Sequence, residues 1–541
     1  MRLPPRTSLA ALAALAYAGI WSYGFASDDV GLVDRLMRHG WQGIAAYLSP
    51  RTGVIGSGFY RPAWVLSIAG NYALWGTWPG GYHLTSLLLF AGSVVLLGDV
   101  VRRTTGDARA AWWAAALFAV HPVDTLAVVW ISGGTDLHAV FGMLAALAAA
   151  SRWWERRERR WLVAALGAAV FALGSKEIAY VLPALAMVTE WTRLRRVGCA
   201  RPFREALRES APFWVLTLVW GGTVLALSAE TTRYAWLVSP REAIVNWAAA
   251  LVLVALPVDY ELLIRFFAAR PALLAAGAAL TGLAALGLAW GARRNTLLRW
   301  GVLWIALAIA LCYRLTMRWY LLLGAAGMCI FLAGLVRSVE ARNGRALGTV
   351  LGAMLLVTFA AGLVRERMKW AEADRFAKSA LVTLVVEAGR PPVPERVILT
   401  ASPAKLRRMG VFGGYTESFL RVAGGPPVEL CVLSRVALDR ESAAVRCTRV
   451  DSSRVRLDIA PGDGAFLVGD DLAALNRRGY LVDADARRIR FATDLGPATV
   501  TAVDGDNRPV ALEVALVGPM PASTRWLTLD GGRFVPLEPT P

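Results

Sequence analysis

The sequence predicts an α-helical polytopic membrane protein with about eleven transmembrane helices and a small C-terminal β-rich domain outside the membrane. Of its 541 residues, 56% are apolar, and the mean hydropathy is +0.47. The apolar residues are concentrated in long runs with almost no charge between Leu9 and Val364. Since about 20 apolar residues cross roughly 30 Å of hydrocarbon, such runs are typical of membrane-spanning helices.

Short basic tracts between the apolar runs predict how the chain is threaded, because cytoplasmic loops carry an excess of Lys and Arg. The tracts lie at residues 2–6, 102–109, 152–160, 193–208, 293–299 and 337–345. All six fall on one side if the spans are 8–25, 83–101, 109–121, 135–152, 161–175, 178–192, 211–229, 271–291, 299–313, 319–336 and 346–364. The formal charge of +18 therefore indicates topology and a membrane-lipid environment, and no nucleic-acid partner.

Two further apolar segments are predicted not to cross the membrane. Counting residues 244–258 as a span would move two later basic tracts outside. A surface or re-entrant segment on the outer face is therefore expected at residues 240–270, interrupted by Pro257 and Asp259. A partly inserted hairpin is expected at residues 59–75. The aromatic residues in and next to this segment suit the membrane interface: Tyr60, Trp64, Tyr72, Trp75 and Trp78.

The composition changes after Val364, and this predicts the domain limits. Segments such as RVILTA, VELCVLSRV, VRLDIA and RRIRFAT alternate or are β-branched between Gly, Pro and Asp turns. We expect a transmembrane domain at 1–375, a linker at 376–395 and an extracytoplasmic β-rich domain at 396–541. Cys431 and Cys447 in that domain are either a disulfide or two free thiols.

Asp28 and Asp29 follow the first predicted span at its outer end. Neighbouring carboxylates repel, so the pKa of one can rise into the range of a general base; a plain polar helix end is the alternative. Other polar residues fall on the same predicted face. They are Arg61, His83, His121, Asp136, Lys176, Glu177, Arg314, Arg318 and Tyr320.

Carboxylates facing Arg, Lys and His suit group transfer from an anionic phosphate, because Arg binds phosphate oxygens and a carboxylate deprotonates an attacking hydroxyl. Each residue taken alone could instead be structural: Lys176 and Glu177 as helix caps, His83 and His121 as satisfied histidines, Arg314 and Arg318 as interface anchors. Ionisable groups at membrane depth nevertheless indicate a functional cavity when several coincide.

Seven stretches carry a resemblance to a known family. They are DDV at 28–30, YRPAWVLSIAGNYALWG at 60–76, GYHLTSLLL at 81–89, LFAVHPVDTLAVVWISGGTDL at 117–137, GSKEIAYVLP at 174–183, LPVDY at 256–260 and MRWYLLL at 317–323. With them the chain resembles the GT-C class of polytopic glycosyltransferases, most closely the transmembrane O-mannosyltransferases that carry tetratricopeptide repeats and their bacterial relatives. Two departures are Ser132-Gly133-Gly134, where the family shows Ser-Gly-Arg, and the absence of helical repeats of about 34 residues.

The resemblance implies an inverting, mannosyltransferase-like enzyme of protein glycosylation that uses a polyprenyl-phosphate sugar and transfers it to a protein or glycan acceptor. It implies that Asp28, or its neighbour Asp29, is the base. By position, Lys176, Arg314 and Arg318 would contact the donor phosphate, and His83, His121 and Asp136 would shape the pocket. No cofactor is required, although the paired aspartates could hold a divalent ion.

Two other classes of function remain open: a transporter or flippase of a lipid-linked or anionic substrate, and a non-catalytic membrane scaffold. The chain contains no Asn-x-Ser/Thr acceptor, which favours a bacterial inner membrane. The N-terminus is expected in the cytoplasm, with the active site and the C-terminal domain in the periplasm.

Overall fold

A computed structural model describes residues 6–51, 54–55, 59–227, 240–256, 270–291, 295–313, 318–407, 409–468, 490–505, 508–517, 521 and 523–537. The chain forms two compact units. The first consists of Met1–Ser22 and Gly40–Arg367, and the second of Tyr23–His39 and Met368–Pro541. A short segment near the N-terminus thus belongs to the same unit as the C-terminal region.

The described chain is mainly helical up to Gly389. The helices are α1 (Arg6–Ala16), α2 (Asp29–His39), α3 (Gln42–Ala45), α4 (Pro62–Trp75), α5 (Pro79–Thr105), α6 (Ala108–Ala119), α7 (Thr125–Val129), α8 (Gly134–Arg156), α9 (Arg159–Leu173), α10 (Leu182–Arg196), α11 (Pro202–Leu227), α12 (Pro240–Ala255), α13 (Pro271–Gly291), α14 (Thr296–Ala310), α15 (Leu322–Asn343), α16 (Arg345–Gly389) and α17 (Thr416–Val422). Local signals set several ends: Gly106 ends α5 at φ +71°, and the Asp107 side chain caps α6 by accepting the N–H groups of Arg109 and Ala110.

Within the described residues, five helices are long and apolar enough to cross a membrane: α5, α8, α11, α15 and α16. A bent pair, Ala108–Ala119 with Pro122–Val129, would make a sixth. The helical class is confirmed, but the number of eleven spans is not. For example, α9 and α10 have 15 residues each, and a helix of that length rises only about 22 Å.

The two segments predicted not to span differ from expectation. The hairpin predicted at residues 59–75 is wrong, because α4 is one continuous helix of 14 residues from Pro62 to Trp75. Gly76, with φ +58°, follows its last residue. Interface aromatics indicate depth in the membrane but do not interrupt a helix. Residues 240–255 form α12, whereas Pro257 and Asp259 lie outside the described residues, so a re-entrant path stays a prediction.

The basic tracts gather at one end of the first unit. The buried carboxylate of Asp99 forms ion pairs of 2.7–3.1 Å with Arg6, Arg102, Arg103 and Arg152. These four arginines come from three different tracts. A buried carboxylate needs such partners because an uncompensated charge away from water is costly.

The remaining tracts join the same end. Arg337 binds Asp107 at 2.7 Å, and Asn295 donates a hydrogen bond of 2.6 Å to Ser338. The side chain of Arg196 donates to the carbonyl of Arg103 at 3.3 Å. All six tracts therefore lie together, as the threading requires; which side of the membrane they face stays a prediction.

The C-terminal region is rich in β-structure, as predicted. A short β1 (Val54–Ile55) and β2 (Phe59–Tyr60) pair in the first unit, and the C-terminal strands are β3 (Arg396–Leu399), β4 (Ser402–Leu406), β5 (Met409–Gly410), β6 (Glu429–Val432), β7 (Arg435–Leu438), β8 (Val445–Asp451), β9 (Arg454–Ile459), β10 (Gly464–Leu467), β11 (Arg490–Thr493), β12 (Gly496–Val503), β13 (Pro509–Ala515), β14 (Thr524–Asp530) and β15 (Arg533–Pro536). The C-terminal strands form sheets in the orders β10-β7-β4-β5, β11-β12-β13-β9-β8 and β15-β14-β3-β6. Strands predicted from RVILTA, VRLDIA and RRIRFAT correspond to β3, β9 and β11.

Two details of the second unit bear on the predicted limits. The residues 376–389 of the expected linker continue α16, which ends only at Gly389. The domain limits themselves stay a prediction. Cys431 and Cys447 are both free thiols in the structure.

Candidate functional site

Polar side chains of the first unit collect at the end opposite the basic tracts. Asp136 lies in the first turn of α8, and Arg152, which binds Asp99, lies near the other end of the same helix. At 1.5 Å per residue these two positions are about 24 Å apart. The predicted site and the basic tracts thus occupy opposite ends of the helices, which is the arrangement expected of a protein with different chemistry on its two membrane faces.

Lys176 and Asp136 form an ion pair at the centre of this end. The Lys176 ammonium also donates to the Thr135 hydroxyl at 3.2 Å and lies 4.4 Å from the centre of the Tyr320 ring. Lys176 is 4% exposed and Asp136 is fully buried. Both charges are therefore removed from solvent and depend on each other and on their hydrogen bonds.

Arg61 and Glu177 form a second pair beside the first. The guanidinium donates to the two Glu177 carboxylate oxygens at 3.2 and 2.7 Å, a bidentate geometry. Their side chains are 15% and 33% exposed, so this pair is more open than the pair behind it. The N–H of Ala63 donates to the carbonyl of Gly174 at 2.8 Å and holds the start of α4 against the turn that carries Lys176. We call Arg61, Asp136, Lys176, Glu177 and Tyr320 the Lys176 cluster.

Arg318 lies in a neighbouring group of buried charges. Its guanidinium pairs with the Glu366 carboxylate and donates to the carbonyl of Pro122 at 3.0 Å. Arg318 is 5% exposed and Glu366 is 1% exposed. We call Pro122, Asp124, Arg318 and Glu366 the Arg318 cluster. The two clusters share the 3₁₀-helix Arg318–Leu321, which carries both Arg318 and Tyr320.

Asp124 is a buried carboxylate in the Arg318 cluster. It is fully buried, and neither carboxylate oxygen has a hydrogen-bond partner among the residues that the structure describes. Such a group needs compensation from a nearby charge or a bound proton.

The two histidines named from sequence occupy different settings. The His121 Nδ1 atom accepts the N–H of Val123 at 3.3 Å, so its Nε2 atom carries the proton and donates to the Val254 carbonyl at 3.0 Å. This neutral ring caps the turn that leads to Asp124. His83 is buried in the first turn of α5, and its part in the pocket stays a prediction.

The aspartate pair belongs to the second unit and not to the helical one. The Asp29 carboxylate is 4% exposed and accepts the N–H of Ala26 at 2.9 Å, which closes the turn before α2. Asp28 is half-buried within that turn. Whether the pair faces the Lys176 cluster stays a prediction.

The structure brings together five residues predicted from sequence, those of the Lys176 cluster, and places Arg318 beside them. Arg314 lies outside the described residues. Sequence reasoning missed Glu366 as the partner of Arg318. The available signal was its position two residues after the apolar run 346–364, where a charge also marks an ordinary helix end.

The described part of the chain contains no group of three or more His, Cys, Asp or Glu side chains placed to hold a metal ion. In the Lys176 cluster the formal charges of two cations and two carboxylates cancel. An anionic ligand would therefore bind by exchanging with a carboxylate, and the half-open Arg61–Glu177 pair is the place where that exchange costs least.

Comparison with known proteins supports the resemblance over part of the chain. No family model matches. Protein O-mannosyl-transferase Tmtc1 of Drosophila melanogaster is 36% identical over 122 residues, which cover 23% of this chain and 14% of that protein. Human Protein O-mannosyl-transferase TMTC4 is 40% identical over 92 residues, covering 14% of this chain and 12% of that protein. The chain thus matches only about an eighth of these relatives' length.

Among solved structures, ArnT from Cupriavidus metallidurans bound to undecaprenyl phosphate is 12% identical, with 96% of this chain and 100% of that chain covered. Its TM-score is 0.42.

Proposed function

We propose that the protein is a membrane glycosyltransferase that moves a sugar from a polyprenyl-phosphate donor to an acceptor hydroxyl, with inversion at the anomeric carbon. The main support is the collection of Arg61, Lys176 and Arg318 at one end of the helical unit, opposite the basic tracts. The partial identity to O-mannosyltransferases adds to it. The acceptor belongs to a protein or a glycan.

In the proposed reaction Asp28 is the general base. It takes the proton of the acceptor hydroxyl, whose oxygen attacks the anomeric carbon. The bond from that carbon to the phosphate oxygen breaks, and the electron pair leaves with the lipid phosphate. By its position in the motif that carries the family resemblance, we assign the base to Asp28, with Asp29 as its neighbour. A single displacement needs no covalent intermediate and no metal ion.

The cations act on the leaving group. A donor phosphodiester carries one negative charge, and the released lipid phosphate approaches two, so a fixed cation is worth more in the transition state than in the ground state. Arg61, the most exposed of the three cations, exchanges Glu177 for the phosphate, while Lys176 and Arg318 are more deeply buried. Arg314 joins this set in the proposal. His83, His121 and Asp136 complete the pocket wall.

The topology in the proposal follows from the basic tracts. With those tracts in the cytoplasm of a bacterial cell, the Lys176 cluster faces the periplasm, where a lipid-linked donor presents its head group. The β-rich domain then lies on the same side. The number of spans must be odd for this arrangement.

The test is transfer from a labelled polyprenyl-phosphate sugar by membranes that contain the Asp28→Asn variant. The change keeps the shape of the side chain and removes the base, so we expect transfer to fall by about 10²–10⁴-fold with normal insertion. The matched control is Asp451→Asn, which changes a partly exposed carboxylate at the end of β8. Full activity of Asp28→Asn would refute the assignment of the base. Absence of transfer by the wild-type protein from every such donor would refute the proposed function.

A further inference from the structure

The segment that carries the aspartate pair is held by the C-terminal part of the chain. The N–H of Gly24 donates to the Asp374 carboxylate at 2.7 Å. Three residues later, the N–H of Ser27 donates to the carbonyl of Val411 at 2.6 Å. Both partners are more than 300 residues away in sequence, so these contacts are a feature of the fold and not of the local turn.

Ser27 fits closely into a loop of the second unit. It adopts a left-handed conformation, with φ 54°, which is uncommon for a residue other than glycine. A Cβ atom at Gly413 would lie 2.8 Å from the Ser27 hydroxyl, and one at Gly410 would lie 2.9 Å from the Ser27 Cβ. Glycine at both positions therefore allows the loop to approach the residue that directly precedes Asp28.

On the other side of the pair, α2 is fixed to α17 by a buried carboxylate. Asp34 is 2% exposed and accepts hydrogen bonds from the Ser418 hydroxyl at 3.0 Å and from Arg421 at 3.1 and 3.2 Å. A Cβ atom at Gly31 would lie 3.1 Å from the ring of Tyr415, so the two helices approach closely. Charge-assisted bonds to a buried carboxylate are among the stronger contacts available.

We propose that the C-terminal unit positions the aspartate pair for catalysis, with Arg421 and Ser418 as positioning residues that act through Asp34. The contacts bracket the pair, with Ser27 immediately before it and Asp34 after it. This inference rests on the proposed function, in which Asp28 is the base. A base must be held near its productive geometry, and a shift of about 1 Å costs roughly 10²-fold in rate.

The C-terminal part of the chain thereby holds the segment that carries the proposed base. A domain that only bound the acceptor would not need contacts with the residues on both sides of the aspartate pair. These contacts also explain why residues 23–39 belong to the same compact unit as the residues from Met368 onward, and not to the unit of the helices that flank them in sequence.

The experiment compares Arg421→Gln and Arg421→Lys with Arg454→Gln in the full-length protein. Arg454 is a matched control because it pairs with Asp451 at 2.6 Å and Glu513 at 2.8 Å in the same unit but away from the loop. Transfer kinetics and amide hydrogen exchange of residues 24–39 are measured on each. We expect Arg421→Gln to lower kcat by about 10–100-fold with KM for the donor unchanged and to speed exchange in that segment. Arg421→Lys should recover part of both, and Arg454→Gln should change neither.

Ser418→Ala removes one of the hydrogen bonds to Asp34 and replaces Arg421→Gln in the experiment if that variant fails to fold. We expect it to lower kcat and to speed exchange in residues 24–39 by smaller factors. Faster exchange in residues 24–39 with unchanged kcat would overturn the positioning role, as would unchanged exchange. If the wild-type protein shows no transfer, the proposed function fails. Exchange then decides by itself whether the C-terminal unit holds the segment.

Discussion

The Lys176–Asp136 pair allows the structural and the catalytic contributions of one contact to be separated. The perturbation is a cycle of three variants: Lys176→Met, Asp136→Leu and the double variant. Each single change leaves a charge at a site that is 4% exposed or less. The double change replaces both charges by apolar groups of similar volume.

The expected magnitudes follow from the burial of the pair. Removing one partner of a buried pair costs about 3–5 kcal/mol, because the remaining charge is uncompensated. Replacing both partners is often close to neutral, so the double variant should lie near the wild type in unfolding free energy. The sum of the two single effects should then exceed the double effect by more than about 3 kcal/mol.

Two assays read the cycle. Unfolding by SDS titration in mixed micelles gives the free energies, and transfer from a labelled polyprenyl-phosphate sugar gives kcat/KM. Loss of a charge-assisted hydrogen bond to phosphate, worth about 1.5–3 kcal/mol, should lower kcat/KM roughly 10–100-fold in every variant without Lys176. The double variant separates the two contributions, because it should be more stable than either single variant but still lacks the Lys176 cation.

The reasoning would be refuted by a double variant that recovers both stability and transfer. Lys176 would then be a structural residue whose only task is to neutralise Asp136. Additive destabilisation would refute the electrostatic account of the pair itself.

Two further predictions concern packing and thiol chemistry. Gly142→Ala in α8 should destabilise the protein by about 1–3 kcal/mol, because the new Cβ would lie 2.9 Å from the Cβ of Ala172. Gly167→Ala in α9 has open space around the new Cβ and should be neutral or stabilising. Thermal melting of the two variants in detergent tests the difference. Burial raises the pKa of the Cys447 thiol to about 11. Alkylation of the folded protein at pH 8 should therefore be roughly 100-fold slower than that of an exposed thiol and should accelerate up to pH 11; mass spectrometry that finds Cys431 and Cys447 joined would contradict the free thiols.

The comparison of expectation with structure is clearest at α4. Pro62 at the helix start and Gly76 just past its end are local signals for one helix, and they describe the segment correctly. The aromatic residues between them favoured an interfacial hairpin, which was wrong. Aromatic side chains indicate where a segment lies relative to a membrane. Pro and Gly at the two ends of a segment indicate where its helix begins and ends.

At the candidate site, the sequence identified charged residues but not their partners. Composition and motifs selected Arg61, Lys176 and Arg318 as cations of interest, but they did not supply their partners. Arg318 pairs with Glu366, a residue 48 positions later that sequence reasoning passed over. The aspartate pair was expected in the transmembrane domain and belongs to the unit formed with the C-terminal region.

The sequence by itself determined the helical class, the grouping of the basic tracts and the β-rich C-terminal region. These depend on run length, charge and turn residues, which act between neighbours in the chain. Only the tertiary structure decided which carboxylate compensates each cation and which unit holds Asp28. Those contacts join residues up to 387 positions apart, as between Asp34 and Arg421. Such pairings form when whole helices and strands pack against each other. The pattern of residues along the chain does not tell which distant residues this packing brings together.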